Sequence, residues 1–168
     1  ESARPREAPA SGCPSARTRV FSPAAKNQPH AASAGPGERQ ASALGHWPVQ
    51  ISLVQPGAAF LKNADLLIAA DCTPIAYPHF HQDFLAGKTV MIGCPKFDDT
   101  EAYVEKFARI FEVANIKSVT VVVMEVPCCQ GLPVIVKKGM DAAGKDIPIE
   151  KVVISAEGEI IQREKFAA

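Results

Sequence analysis

Ser118-Val-Thr-Val-Val-Val-Met124 constrains the fold of this chain more than any other stretch. Five of its seven residues are β-branched, which favours extended backbone. Successive side chains on a strand point to opposite faces, so a run that is apolar at nearly every position must be covered on both. Ala64-Asp-Leu-Leu-Ile-Ala-Ala70 and Thr89-Val-Met-Ile92 have the same character. Segments with helical spacing lie between these runs. The expected fold class is therefore α/β: a mostly parallel sheet with helices on both faces, a Rossmann-like three-layer arrangement.

The helices and turns follow from spacing and end signals. Asp98-x-x-Glu101 reads as a capping box opening a helix. Its apolar stripe would be Tyr103, Phe107, Ile110, Phe111 and Ala114. Leu132 to Ala143 is a second expected helix, with Pro133 near its start and Gly144 at its end. Pro78 to Leu85 suits a short helix, and Gly57 to Asn63 a single helical turn. Pro48 to Val54 alternates apolar and polar, as a half-buried strand does. Val152-Val-Ile154 and Glu159-Ile-Ile161 flank Ala-Glu-Gly and predict a closing hairpin.

Residues 1–46 differ from the rest. They hold six of the fourteen prolines, with six basic and three acidic side chains and almost no apolar periodicity. This reads as a Pro/Ala-rich linker, a disordered or extended N-terminal arm. The cysteine-rich α/β domain is expected over residues 47–168, with 12 basic and 15 acidic groups. The whole chain balances 18 against 18, so bulk charge argues for neither nucleic acid nor a membrane surface as partner. The longest apolar runs are too short to span a bilayer. Composition leaves a homo-oligomer open.

Five cysteines, an odd number without the spacing of a secreted disulfide scaffold, suit a reducing, cytoplasmic setting. Their placement is not random. Cys72, Cys94 and the pair Cys128–Cys129 each follow a separate expected strand, so all four should reach one rim of the sheet. Ligands collect beyond the carboxyl ends of strands in such sheets. If the strands are neighbours, the four sulfurs fall within reach of one soft-metal centre, an iron–sulfur cluster or zinc. Cys128 and Cys129 precede a helix N-terminus, where thiolate is favoured. Gly131 would let a bound group approach the backbone. An unmetallated, redox-sensing thiol cluster is the competing possibility. His81 is a candidate fifth ligand or hydrogen-bond donor to one, with a surface or capping role as its alternative. Asp71, Asp98 and Asp99 flank the rim and are expected to satisfy loop amides and a helix cap.

Several blocks together resemble a known family. They are His46-Trp-Pro-Val-Gln50, Ala69-Ala-Asp-Cys72, Phe80-His-x-Asp-Phe84, Ile92-Gly-Cys-Pro-Lys96 and Met124-Glu-Val-Pro-Cys-Cys129. The chain resembles the C-terminal domain of ferredoxin-like 4Fe–4S iron–sulfur proteins of anaerobes, and Gly12-Cys-Pro-Ser15 is similar to the segment that precedes it there. The dicluster module of that family is absent from this sequence, and Gln130 stands between the paired cysteines and Gly131. The resemblance implies a 4Fe–4S or other metal site on Cys72, Cys94, Cys128 and Cys129. Electron transfer with a partner redox enzyme or a ferredoxin module would follow, with Cys13 outside the ligand set unless the arm folds back.

No Ser-His-Asp set, phosphate loop, GxGxxG or HExxH is present, so no catalytic residue is assigned and a non-enzymatic role is expected. The rival expectation is a docking or regulatory module with structural or redox-sensing cysteines. A third makes Cys128 or Cys129 a nucleophile with His81 as its base.

Overall fold

The computed structural model describes residues 14–21 and 41–166. Its centre is a five-stranded sheet built from β3 (Asp65–Ala70), β4 (Thr89–Gly93), β5 (Ser118–Met124), β6 (Ile149–Ile154) and β7 (Ile160–Phe166). The order across the sheet is β4-β3-β5-β6-β7. Three pairings are parallel, and β7 closes the edge antiparallel to β6. The expected mostly parallel, Rossmann-like sheet and its closing hairpin are therefore present. Separately, β1 (Arg19–Val20) pairs with β2 (His46–Trp47) in a two-stranded ribbon.

The central strands explain why the sequence folds this way. Residues Leu66 to Ala70 of β3 and Val119 to Met124 of β5 are buried without a break, on both faces. Each fully buried aliphatic side chain contributes roughly 1.5–3 kcal/mol. Two helices provide much of the cover, α2 (Thr100–Val113) and α3 (Gly131–Ala142), which pack on each other. They approach closely at Gly139, where a Cβ would lie 2.5 Å from the Cβ of Phe107. The α2 stripe is buried at Tyr103, Phe107, Ile110 and Phe111, as its spacing requires. A short helix, α1 (Thr73–Ala76), and a π-helical turn over His81–Leu85 fill the link from β3 to β4.

Three details differ from the sequence-based expectation. Pro48 to Val54 is not a strand. Only Gln50 bridges to Ile92, after which the amides of Leu53 and Val54 turn back onto the Gln50 carbonyl. Pro48 has no amide hydrogen to extend a ladder. The cap of α2 is Asp99, whose Oδ1 accepts from the amides of Glu101 and Ala102. Asp98 is drawn away to other partners, described below. The expected turn over Gly57 to Asn63 is a 3-10 turn at Ala59–Leu61. Of the N-terminal arm, residues 1–13 and 22–40 lie outside the described residues, and with them Cys13.

His46 ties the start of the domain to the sheet. Its Nε2 accepts from the Val90 amide at 3.0 Å, and its ring stacks on Phe60 with centroids 4.0 Å apart. Nδ1 then carries the proton, and it faces the Pro48 carbonyl without a well-formed hydrogen bond. Burial pushes this imidazole from its ordinary 6.5 down to about 4. The unfolded chain therefore takes up the proton first as pH falls. Stability should decline by about 3 kcal/mol between roughly pH 6.5 and pH 4 and then level off. His46→Gln keeps an acceptor for Val90 and should lose that slope in urea unfolding measured across this range. Parallel profiles for the two proteins would contradict the assignment.

Candidate functional site

The strand order reverses direction once. From β3 the chain steps to β4 on one side, then crosses β3 to reach β5 on the other. In open sheets this reversal leaves a crevice beyond the carboxyl ends of the two strands it separates. Here those strands are β3 and β5. The loop after β3 carries Asp71 and Cys72, and the loop after β5 carries Pro127, Cys128 and Cys129.

Local hydrogen bonds hold each loop. After β3, the Asp71 amide donates to the Gly93 carbonyl, and the buried Thr73 hydroxyl donates to the Ala70 carbonyl at 2.8 Å. Thr73 is thereby fixed inward while Cys72 is left exposed. After β5, Pro127–Cys129 form a 3-10 turn that leads into α3. Gln130 straps it down. Its Nε2 donates to the Met124 carbonyl at 3.1 Å, and its Oε1 accepts from Lys151 Nζ at 3.1 Å. Gln130, which stands between the paired cysteines and Gly131, thus ties their turn to its own strand. Gly131 is not required by space, since a Cβ there would meet only Pro95, at 4.0 Å. That distance also shows the loops after β4 and β5 in contact.

The thiols are sorted by exposure. Cys72 and Cys128 are exposed, Cys94 is intermediate and Cys129 is buried. Burial pushes the Cys129 thiol up, a backbone hydrogen bond at Met124 opposes this, and the charge and hydrogen bond of Cys128 and the charge of Cys72 push it further. Cys129 therefore holds its proton more tightly than an ordinary thiol. Cys72 lies close enough across the β3–β5 crevice for its charge to be felt at Cys129.

Cys94 belongs to different surroundings. Its amide donates to Asp98 Oδ2 at 2.8 Å, and the same oxygen accepts from the Tyr103 hydroxyl. Burial, then the hydrogen bond to Asp98, raises Tyr103 far above the usual phenol range. Gly93 makes room for this hydroxyl, because a Cβ there would lie 2.3 Å from it. Asp71 is raised by burial and then by the charge of Asp98, and its buried Oδ1 has no hydrogen-bond partner. The expectation that Asp98 and Asp99 serve loop amides and the helix cap is met. Tyr103 was legible only as part of the apolar stripe; nothing in its spacing marks the hydroxyl contact. His81 accepts the Ala43 amide at Nδ1, 3.1 Å away, so that nitrogen is engaged in holding the chain that enters the domain.

Comparison with known proteins places these features. A family model described as a Rossmann-like domain matches residues 58–168. An uncharacterized protein of Archaeoglobus fulgidus is 36% identical over 114 residues, covering 68% of this chain and 80% of that protein. No solved structure matches the chain. These findings overturn the resemblance to ferredoxin-like iron–sulfur proteins, since the family that matches is a Rossmann-like domain and neither match is described by an iron–sulfur group. The 4Fe–4S, ferredoxin-like and metal-binding expectations are corrected on geometry as well. Among the described residues, no three His, Cys, Asp or Glu side chains form a group able to hold a metal ion. The candidate ligands are turned apart or already engaged: Cys129 is buried, and His81 Nδ1 accepts the Ala43 amide. No helix among the described residues is long and apolar enough to cross a membrane.

The sorting of the thiols sets an order of reactivity. Under native conditions, iodoacetamide should modify Cys72 and Cys128 at least about tenfold faster than Cys129. Peptide mass mapping over time reads this directly. Equal rates for Cys128 and Cys129 would contradict the buried, protonated state of Cys129.

Proposed function

This chain belongs to the Rossmann-like domain family, and from the thiols at its rim we propose that it is a thiol-redox regulatory domain working through Cys72 and Cys128. The observation that carries the reading is the placement of three thiols on the loops that follow the neighbouring strands β3 and β5, two of them exposed and one buried. Cys128 is exposed in the turn just before α3. Cys72 lies on the loop after the neighbouring strand, β3.

A bond within the vicinal pair is disfavoured, because consecutive Cα atoms lie about 3.8 Å apart, below the usual disulfide range. Cys72 and Cys128 lie on the loops that follow two neighbouring strands, so a bond between them would close across the crevice. With a hydroperoxide as oxidant, the Cys128 thiolate attacks the O–O bond, becomes a sulfenic acid and releases an alcohol, or water from hydrogen peroxide. The Cys72 sulfur then displaces water from that sulfenic acid. Two electrons pass from the two sulfurs to the peroxide, and a Cys72–Cys128 disulfide remains. Such a switch presupposes a reducing compartment such as the cytoplasm, where the resting state is dithiol.

Equimolar hydrogen peroxide should yield a peptide pair cross-linked between Cys72 and Cys128, lighter by two hydrogens, with Cys94 and Cys129 still alkylatable. In Cys72→Ser, the Cys128 sulfenic acid should persist and react with dimedone. Full recovery of free thiol at Cys72 and Cys128 after peroxide would sink the proposal.

A further inference from the structure

The rim that carries the thiols is also where the domain leaves apolar side chains in water. Four of the seven large apolar side chains exposed among the described residues lie there. Ile75 in α1 is 88% exposed, Phe97 after β4 83%, Val134 in the first turn of α3 54%, and Val126 after β5 36%. Ile75 and Phe97 are the two most exposed of the seven. They follow the carboxyl ends of the adjacent strands β3 and β4, on one side of the crevice, while Val126 and Val134 follow β5 on the other. An apolar group left out singly is ordinary; several gathered around one reactive group mark an interaction surface.

The same rim carries unneutralised negative charge. Asp71, Asp98, Asp99 and Glu125 follow the ends of β3, β4 and β5, with Lys96 alongside. Asp98, Asp99 and Glu125 are engaged by neutral donors: the Cys94 amide and Tyr103 hydroxyl, the amides of Glu101 and Ala102, and the Ala156 amide. Neither of the ion pairs seen among the described residues involves any of the four. A second copy of this surface would meet like charge, and a small anionic disulfide would gain nothing from the apolar ring. The complementary surface is basic with apolar anchors.

Building on the thiol-redox reading, we propose that the substrate of this rim is a disulfide displayed on a basic, apolar-flanked protein surface that docks over Ile75, Phe97, Val126 and Val134. The Cys128 thiolate attacks one sulfur of that disulfide. The partner's S–S bond breaks, a mixed disulfide forms, and the departing partner sulfur takes up a proton. Cys72 then attacks Cys128 in the mixed disulfide, giving up its proton and releasing the partner's second thiol. The partner gains two electrons, and the domain keeps them no longer, ending as the Cys72–Cys128 disulfide.

The test uses three disulfide probes on the reduced full chain: a lysine- and leucine-flanked cystine peptide, a glutamate- and serine-flanked one, and oxidised glutathione. The rate of mixed-disulfide formation at Cys128 is read by mass spectrometry after acid quench. The basic, apolar probe should react at least about tenfold faster than the other two, and high salt should shrink its advantage. The double variant Ile75→Ser, Phe97→Ser changes only exposed side chains. It should lose most of that advantage while reacting with glutathione disulfide at the parent rate. Equal rates for all three probes would overturn the docking proposal and leave the thiol reading standing. No reaction of Cys128 with any probe would overturn both.

Discussion

The structure depends on the parallel pairing of β3 with β5 under cover on both faces. Leu66 through Ala70 and Val119 through Val123 are buried, and their register runs from Asp65 opposite Ser118 to Ala69 opposite Val122. A slip by one residue would exchange the faces of every side chain in the strand. That register therefore fixes how far each strand runs before its loop begins. The loops beginning at Asp71 and Glu125 open side by side as a consequence, and Cys72 and Cys128 sit where the direction of strand order reverses.

Around that crevice the chain separates two kinds of chemistry. On the β4 side, Asp98 gathers the Cys94 amide and the Tyr103 hydroxyl, and Gly93 leaves the space that this requires. Its charge is held by neutral donors, and it raises the proton affinity of Asp71 nearby. Across β3, the Cys128–Cys129 turn is strapped by Gln130 to Met124 and Lys151. Burial keeps the proton on Cys129, so the pair offers solvent one sulfur, not two. The vicinal cysteines are thus unlike: one meets the outside, and the other is part of the core.

Much of this architecture was legible in the sequence because burial on two faces leaves a clear mark. The Val run of β5, the apolar run of β3 and the stripe of α2 each specify an element type and a buried face. The delivery of Cys72, Cys94, Cys128 and Cys129 to strand ends was legible for the same reason. What the pattern could not supply was strand order, or which of these side chains are buried or already engaged. Cys129 is buried while Cys72 and Cys128 are exposed, a difference that a linear reading does not show. Individual hydrogen bonds were equally hidden. Asp98 and Asp99 are adjacent and chemically alike, yet one caps α2 and the other holds a tyrosine. Gln130 looked like an intrusion into a motif and is instead its strap.

The central claim is that Cys72 and Cys128 form one two-electron couple. Equilibrating the protein against glutathione redox buffers, then quenching and counting free thiol at each position, tests this most directly. The account predicts that Cys72 and Cys128 disappear together along a single curve, with a tenfold change in ratio for about 30 mV. Cys94 and Cys129 should stay reduced throughout. Separate curves for Cys72 and Cys128, each ending as a mixed disulfide with glutathione, would contradict it.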